Sequence, residues 1–190
     1  MRLPAADGLA FLSTSPPAAG PPLNIVPGDF ILTRADHSLV DSAIRLGQRI
    51  RFRGARRYAA YWNHAAGVVV GGDDPVLVDM LAGGATVSPL SKYANRTYTV
   101  VHVLQTPERG QEAADYWNWL GQTHTRYGYL SIVLDAIHLV TGLPIGGAWR
   151  GRPVCSASVA AGLAFDLWRA SSSGIMPADL AYYFGAHPID

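Results

Sequence analysis

The sequence predicts an α+β domain built on a mostly antiparallel sheet, on three observations. A strand pattern and a helix pattern come first, a cluster of apolar runs separated by turn residues follows, and helical spacing dominates the rest of the chain.

Residues 1–24 are rich in Pro, Ala and Gly with little periodicity and read as an extended arm. The single domain is expected over residues 25–190. Pro27-Gly28 marks a turn into the short strand signal Asp29 to Thr33. Ser38 to Leu46 places Leu39, Ile44 and Leu46 among polar residues and reads as a helix. Three runs then look like neighbouring antiparallel strands: His64 to Val70, Pro75 to Met80 and Tyr98 to Leu104. Gly71-Gly72-Asp73-Asp74 makes the turn between the first two, and Val87 to Leu90 reads as a further short strand and turn. Glu108 to Thr123 has Ala113, Tyr116, Trp117 and Leu120 at helical spacing, and Gly128 to Val140 reads as a second helix. Thr141 to Pro153 is broken by glycine and proline. Cys155 to Leu167 is a buried helix with the cysteine in its first turn, and a short element around Asp179 and Leu180 closes the domain.

With 190 residues, 49% hydrophobic and 15% charged, the chain can bury a full core without metals or disulfides. One cysteine excludes an internal disulfide and lacks the paired partner of a structural zinc site; no metal or cofactor is expected. A formal charge of +1 gives no global reason to expect nucleic acid. The local exception is Arg45 to Arg57, where six arginines would give a helix a strongly basic face, read either as a solvated face or as a patch for phosphate or acidic groups. The N-terminal apolar stretch is cut by Pro4, Asp7 and Pro16-Pro17, so no signal peptide is expected, and the apolar window from Tyr129 to Trp149 contains Asp135, His138 and Pro144 and reads as buried rather than membrane-spanning.

Three residues carry the expected chemistry. At a helix N-terminus Cys155 has unpaired backbone N–H groups that favour its thiolate and that can also hold an oxyanion; the alternative is an inert buried thiol. His64 opens an apolar strand, where it serves either as the base for that thiol or as a structural histidine. Asp79 interrupts an apolar run, and a hairpin about Gly71-Gly72 would set it beside His64 to fix its tautomer; the alternative is a solvated strand end.

Pro27-Gly28-Asp29-Phe30-Ile31, Asn63-His64-Ala65-Ala66-Gly67-Val68-Val69 and Val154-Cys155-Ser156-Ala157-Ser158-Val159 together resemble the signature blocks of permuted NlpC-type papain-like cysteine hydrolases, a group related to the lecithin retinol acyltransferase-like proteins. In that group the histidine strand precedes the cysteine helix. The matches span residues 26 to 181. Many relatives carry glutamate where Asp79 stands and Cys-Ser-Glu where this chain has Cys155-Ser156-Ala157. The resemblance implies a permuted papain-like fold, a Cys155–His64–Asp79 triad, and Tyr127 and Ser156 as residues near the substrate or oxyanion. It implies a thiol peptidase or amidase acting on peptidoglycan stem peptides in a bacterial or phage setting, cytoplasmic or virion-associated, with no cofactor. Acyl transfer or thioester hydrolysis on a lipid is the second reading. The third is an assembly protein of a phage or similar particle, docking a partner through residues 1–24.

Overall fold

The computed structural model describes residues 13–14, 24–34, 39–81, 83–126, 154–163 and 175–188. The arm beyond Ser13–Thr14, Tyr127, the expected helix from Gly128 to Val140 and the window up to Trp149 lie outside them.

The described chain is α+β. Its elements are β1 (Ser13–Thr14), β2 (Phe30–Thr33), α1 (Leu39–Arg51), a 3₁₀ segment (Gly54–Tyr61), β3 (His64–Val70), β4 (Val76–Leu81), β5 (Gly84–Pro89), a second 3₁₀ segment (Leu90–Tyr93), β6 (Tyr98–Val101), α2 (Pro107–Gln122), α3 (Cys155–Gly162) and α4 (Pro177–Tyr183). The strands form one antiparallel sheet in the order β1-β6-β2-β3-β4-β5. Among the described residues no helix is long and apolar enough to cross a membrane.

Three expectations are corrected. The run from Tyr98 is not a neighbour of the β3–β4 hairpin: β6 pairs with β2 and is separated from β3 by it. Alternating hydrophobicity marks a strand but does not choose its partner. That strand also stops at Val101 rather than Leu104. Asp29 is the reason, because its carboxylate accepts from Val103 N at 3.2 Å and sits 2.8 Å from His102 Nδ1, drawing the chain out of the ladder. Helix α1, in turn, runs on to Arg51, since Gln48, Arg49, Ile50 and Arg51 are tolerated or favoured in helices and outweigh the single Gly47.

Alternation divides the sheet into two buried faces. Phe30, Leu32, Ala65, Val69, Val78 and Met80 pack with Trp117, Leu120, Val159 and Phe184 of the helical layer. Ile31, Ala66, Val68, Leu77 and Val100 pack under Leu90 and Tyr93, which the second 3₁₀ segment lays across the other face. The β3–β4 turn places Gly72 at φ +107°, a conformation that side-chain-bearing residues rarely adopt.

Trp117 ties the histidine strand to the cysteine helix. Its indole fills the space that a Cβ on Gly67 of β3 or on Gly162 of α3 would occupy, each within 2.2 Å of a ring atom, and its Nε1 donates to Ser158 O at 2.9 Å. Two glycines on two elements therefore set the separation of β3 and α3. Replacing Gly67 by alanine is expected to cost about 1–3 kcal/mol by overpacking and to slow alkylation of Cys155, because the ring can yield only by pushing α3 away. A urea midpoint and a labelling rate both equal to wild type would contradict this spacer role.

At the other end of α1, Gln48 is fully buried, donating to Trp62 O at 2.7 Å and accepting from Ala178 N at 2.9 Å. Arg51 pairs with Asp179 at 2.8 Å. These contacts seat α1 and α4 beside the chain that leads into His64.

Candidate active site

Val154 occupies the N-cap of α3 and offers no side-chain acceptor, so the N–H groups of the first turn are not capped by a side chain. They are open to the sulfur instead. Cys155 is buried, and the N–H groups of Ser156 and of Ala65, on β3, both bond its thiolate. The side chain of Ser156 does not face the site; its hydroxyl donates to Ile175 O and pins the helix start to the segment before α4. The contribution of Ser156 at the sulfur is thus its backbone.

His64 is the first residue of β3 and pairs with Thr33 of β2. The β3–β4 register begins at Ala66–Asp79, which puts Asp79 diagonally across from His64 on the same face of the sheet. The shorter acid reaches: His64 Nε2 donates to Asp79 Oδ1 at 2.9 Å. With Nε2 so engaged, Nδ1 is the ring nitrogen left for Cys155, to which the imidazole is also hydrogen-bonded. The cysteine belongs to the core on the helical side and Asp79 to the strand face that carries Leu77; the imidazole at the start of β3 joins the two.

Asp79 is fully buried and retains its charge because four donors surround it. Beyond His64, its Oδ2 accepts from Tyr93 Oη, from Lys92 Nζ at 3.1 Å and from Ser88 Oγ at 3.2 Å. Lys92 is the only lysine of the chain. Sequence reasoning missed this cage. The only signal for it was a Ser-x-x-x-Lys-Tyr stretch after a strand, whose fold-back over Asp79 depends on the tertiary path of the 3₁₀ segment.

The electrostatics follow from burial and charge together. Burial alone would raise the Asp79 carboxyl, but the His64 hydrogen bond and charge, with Tyr93 and Lys92, hold it down to about 2. Burial disfavours the imidazolium, yet the Cys155 thiolate and the Asp79 carboxylate outweigh it and raise His64 to about 10. Burial likewise disfavours the thiolate, and the charge and hydrogen bond of His64, with the Ala65 and Ser156 N–H groups, bring the Cys155 pKa below its ordinary value. Each partner thus favours the charged form of the other, thiolate beside imidazolium.

The structure thus brings together Cys155, His64 and Asp79, adds Lys92, Tyr93 and Ser88 around the acid, and turns the Ser156 hydroxyl away. Tyr127 lies outside the described residues. No family model matches the chain, and no curated protein matches it.

Proposed function

We propose that the chain is a cysteine hydrolase of the permuted papain-like type, cleaving amide bonds through an acyl-enzyme on Cys155. The observation that carries this reading is the continuous hydrogen-bonded series from the Cys155 sulfur through His64 to the buried Asp79. Each member has a role that the geometry suits. The Cys155 thiolate attacks the carbonyl carbon, and the His64 imidazolium gives its proton to the departing amine as the C–N bond breaks. The neutral imidazole then takes a proton from water, which attacks the thioester and releases the acid and the thiolate. Asp79 holds the ring and offsets its charge, and N–H groups at the start of α3 are suited to the oxyanion.

The chain order, with the histidine strand ahead of the cysteine helix, supports the permuted type. Stem-peptide amides of peptidoglycan are the substrate class we propose, on the resemblance of the three signature segments. Incubation of the full chain with purified muropeptides should release new amino termini detectable by mass spectrometry, with Cys155→Ala inactive. Equal release by wild type and Cys155→Ala would overturn the cysteine mechanism, and no release from any muropeptide by a chain that still alkylates rapidly would overturn the substrate class alone.

A further inference from the structure

The arginine-rich run is not used by the site. Its exposed face carries more than charge. On α1 the outward positions are Ser42, Arg49, Leu46 and Ile50, and the two aliphatic side chains are 62% and 37% exposed. Arg53 follows directly, its Nε donating to Ile50 O at 2.9 Å, which holds its guanidinium beside Ile50. Across the neighbouring α4, Tyr182 is 37% exposed, with the Arg56 guanidinium 5.0 Å over its ring. The Tyr182 ring lies 6.3 Å from that of Phe52, a buried residue that joins α1 to the 3₁₀ segment, so the tyrosine sits against that junction. No carboxylate occurs in the sequence between Asp41 and Asp73, and Asp179 on α4 is buried and paired with Arg51.

From these contacts we infer that α1, the 3₁₀ segment and Tyr182 form a docking surface for an anionic lipid bilayer. Arginines would meet phosphate headgroups, Tyr182 would sit at headgroup level, and Leu46 and Ile50 would enter the boundary with the acyl chains, as an amphipathic helix lying in the interface does. Charge complementarity selects an anionic partner. The exposed Leu46 and Ile50 select a bilayer over a nucleic acid or another soluble polyanion, which would offer them nothing apolar to enter. The surface is built on the elements that lead into His64, so docking would present the protein to the membrane by its α1–α4 side. The inference is independent of the reaction at Cys155.

The test is co-sedimentation of the full chain with vesicles of phosphatidylcholine alone and of phosphatidylcholine with about one-third phosphatidylglycerol. Binding is expected to the anionic vesicles only and to weaken with salt. Arg49→Gln with Arg53→Gln should lower partitioning by about fivefold for each arginine, with Arg49→Lys and Arg53→Lys restoring it. Leu46→Ser with Ile50→Ser should lower it by roughly tenfold with an unchanged melting temperature, since both side chains are exposed. Absence of binding to anionic vesicles at low salt would overturn the inference. So would binding that ignores the Leu46 and Ile50 changes and is fully competed by duplex DNA, which would assign the patch to a soluble polyanion.

Discussion

Replacing His64 by alanine is expected to slow alkylation of Cys155 by iodoacetamide near pH 6 by about tenfold or more, since the ring lowers the thiol's pKa and an ordinary thiol with a pKa of about 8.5 is well under 1% thiolate there. In the wild type the imidazolium draws the thiol toward ionisation and outweighs the burial that opposes it. Without the ring, the same burial works unopposed by any side-chain charge at the sulfur, and the backbone N–H groups of Ala65 and Ser156 remain as its only stabilising contacts from the present set. The pH profile adds a second signature. The Cys155 pKa is lowered, so the thiolate is present above that lowered value and labelling falls only as pH drops through it. His64 is raised to about 10, so the imidazolium persists until pH rises through that value. Alkylation consumes only the thiolate and should not fall at the alkaline limit. The proposed amide hydrolysis would also need the imidazolium proton for the leaving amine, and its rate should fall as pH passes about 10. Stopped-flow labelling across pH on both proteins checks the first claim, and a His64→Ala rate equal to wild type near pH 6 would remove the ion pair from the mechanism.

How much of this was legible beforehand depends on how local each determinant is. The three residues of the hydrogen-bonded series were readable because each breaks a pattern: His64 opens an apolar strand, Asp79 interrupts one, and Cys155 opens an apolar helix. The Gly71-Gly72 turn was enough to predict that β3 and β4 pair, and that pairing sets the diagonal between His64 and Asp79. The sheet order was not legible, since β6 reaches β2 through a fold-back after Tyr93 that no periodicity encodes. Nor was the role of Gly67. A glycine inside the His-strand pattern marks a close approach without naming what approaches, and Trp117 and Gly162 lie far along the chain. The donors around Asp79 share this character. Ser88, Lys92 and Tyr93 look like ordinary turn residues until the 3₁₀ segment is laid over the strand face that carries Ala66 and Leu77.

The cage around Asp79 makes the isosteric change Asp79→Asn the most informative substitution at the site. Oδ2 of Asp79 accepts from Tyr93, Lys92 and Ser88, each of which donates to it. In the variant the amide oxygen must satisfy them, which turns the NH₂ group toward His64 Nε2. That nitrogen must then accept, so the imidazole carries its proton on Nδ1, the nitrogen facing Cys155, where it cannot take a proton from thiol or water. The expected result is a fall in kcat of about 10³–10⁴-fold, as when a triad acid becomes an amide, with the fold intact by circular dichroism. Stability should respond to pH in a matching way. The wild-type carboxyl titrates at about 2 against an unfolded value near 3.8, so its contribution, roughly 2 kcal/mol, is present above that unfolded value and is lost as pH falls toward about 2. The variant lacks this acid limb, and its urea midpoint should change less over the same range. Lys92 sharpens the distinction, because its ammonium loses its countercharge in Asp79→Asn, and the double change Asp79→Asn with Lys92→Met should recover stability without recovering turnover. Recovery of both would mean that Asp79 serves only to hold Lys92, and that His64 needs no acid behind it.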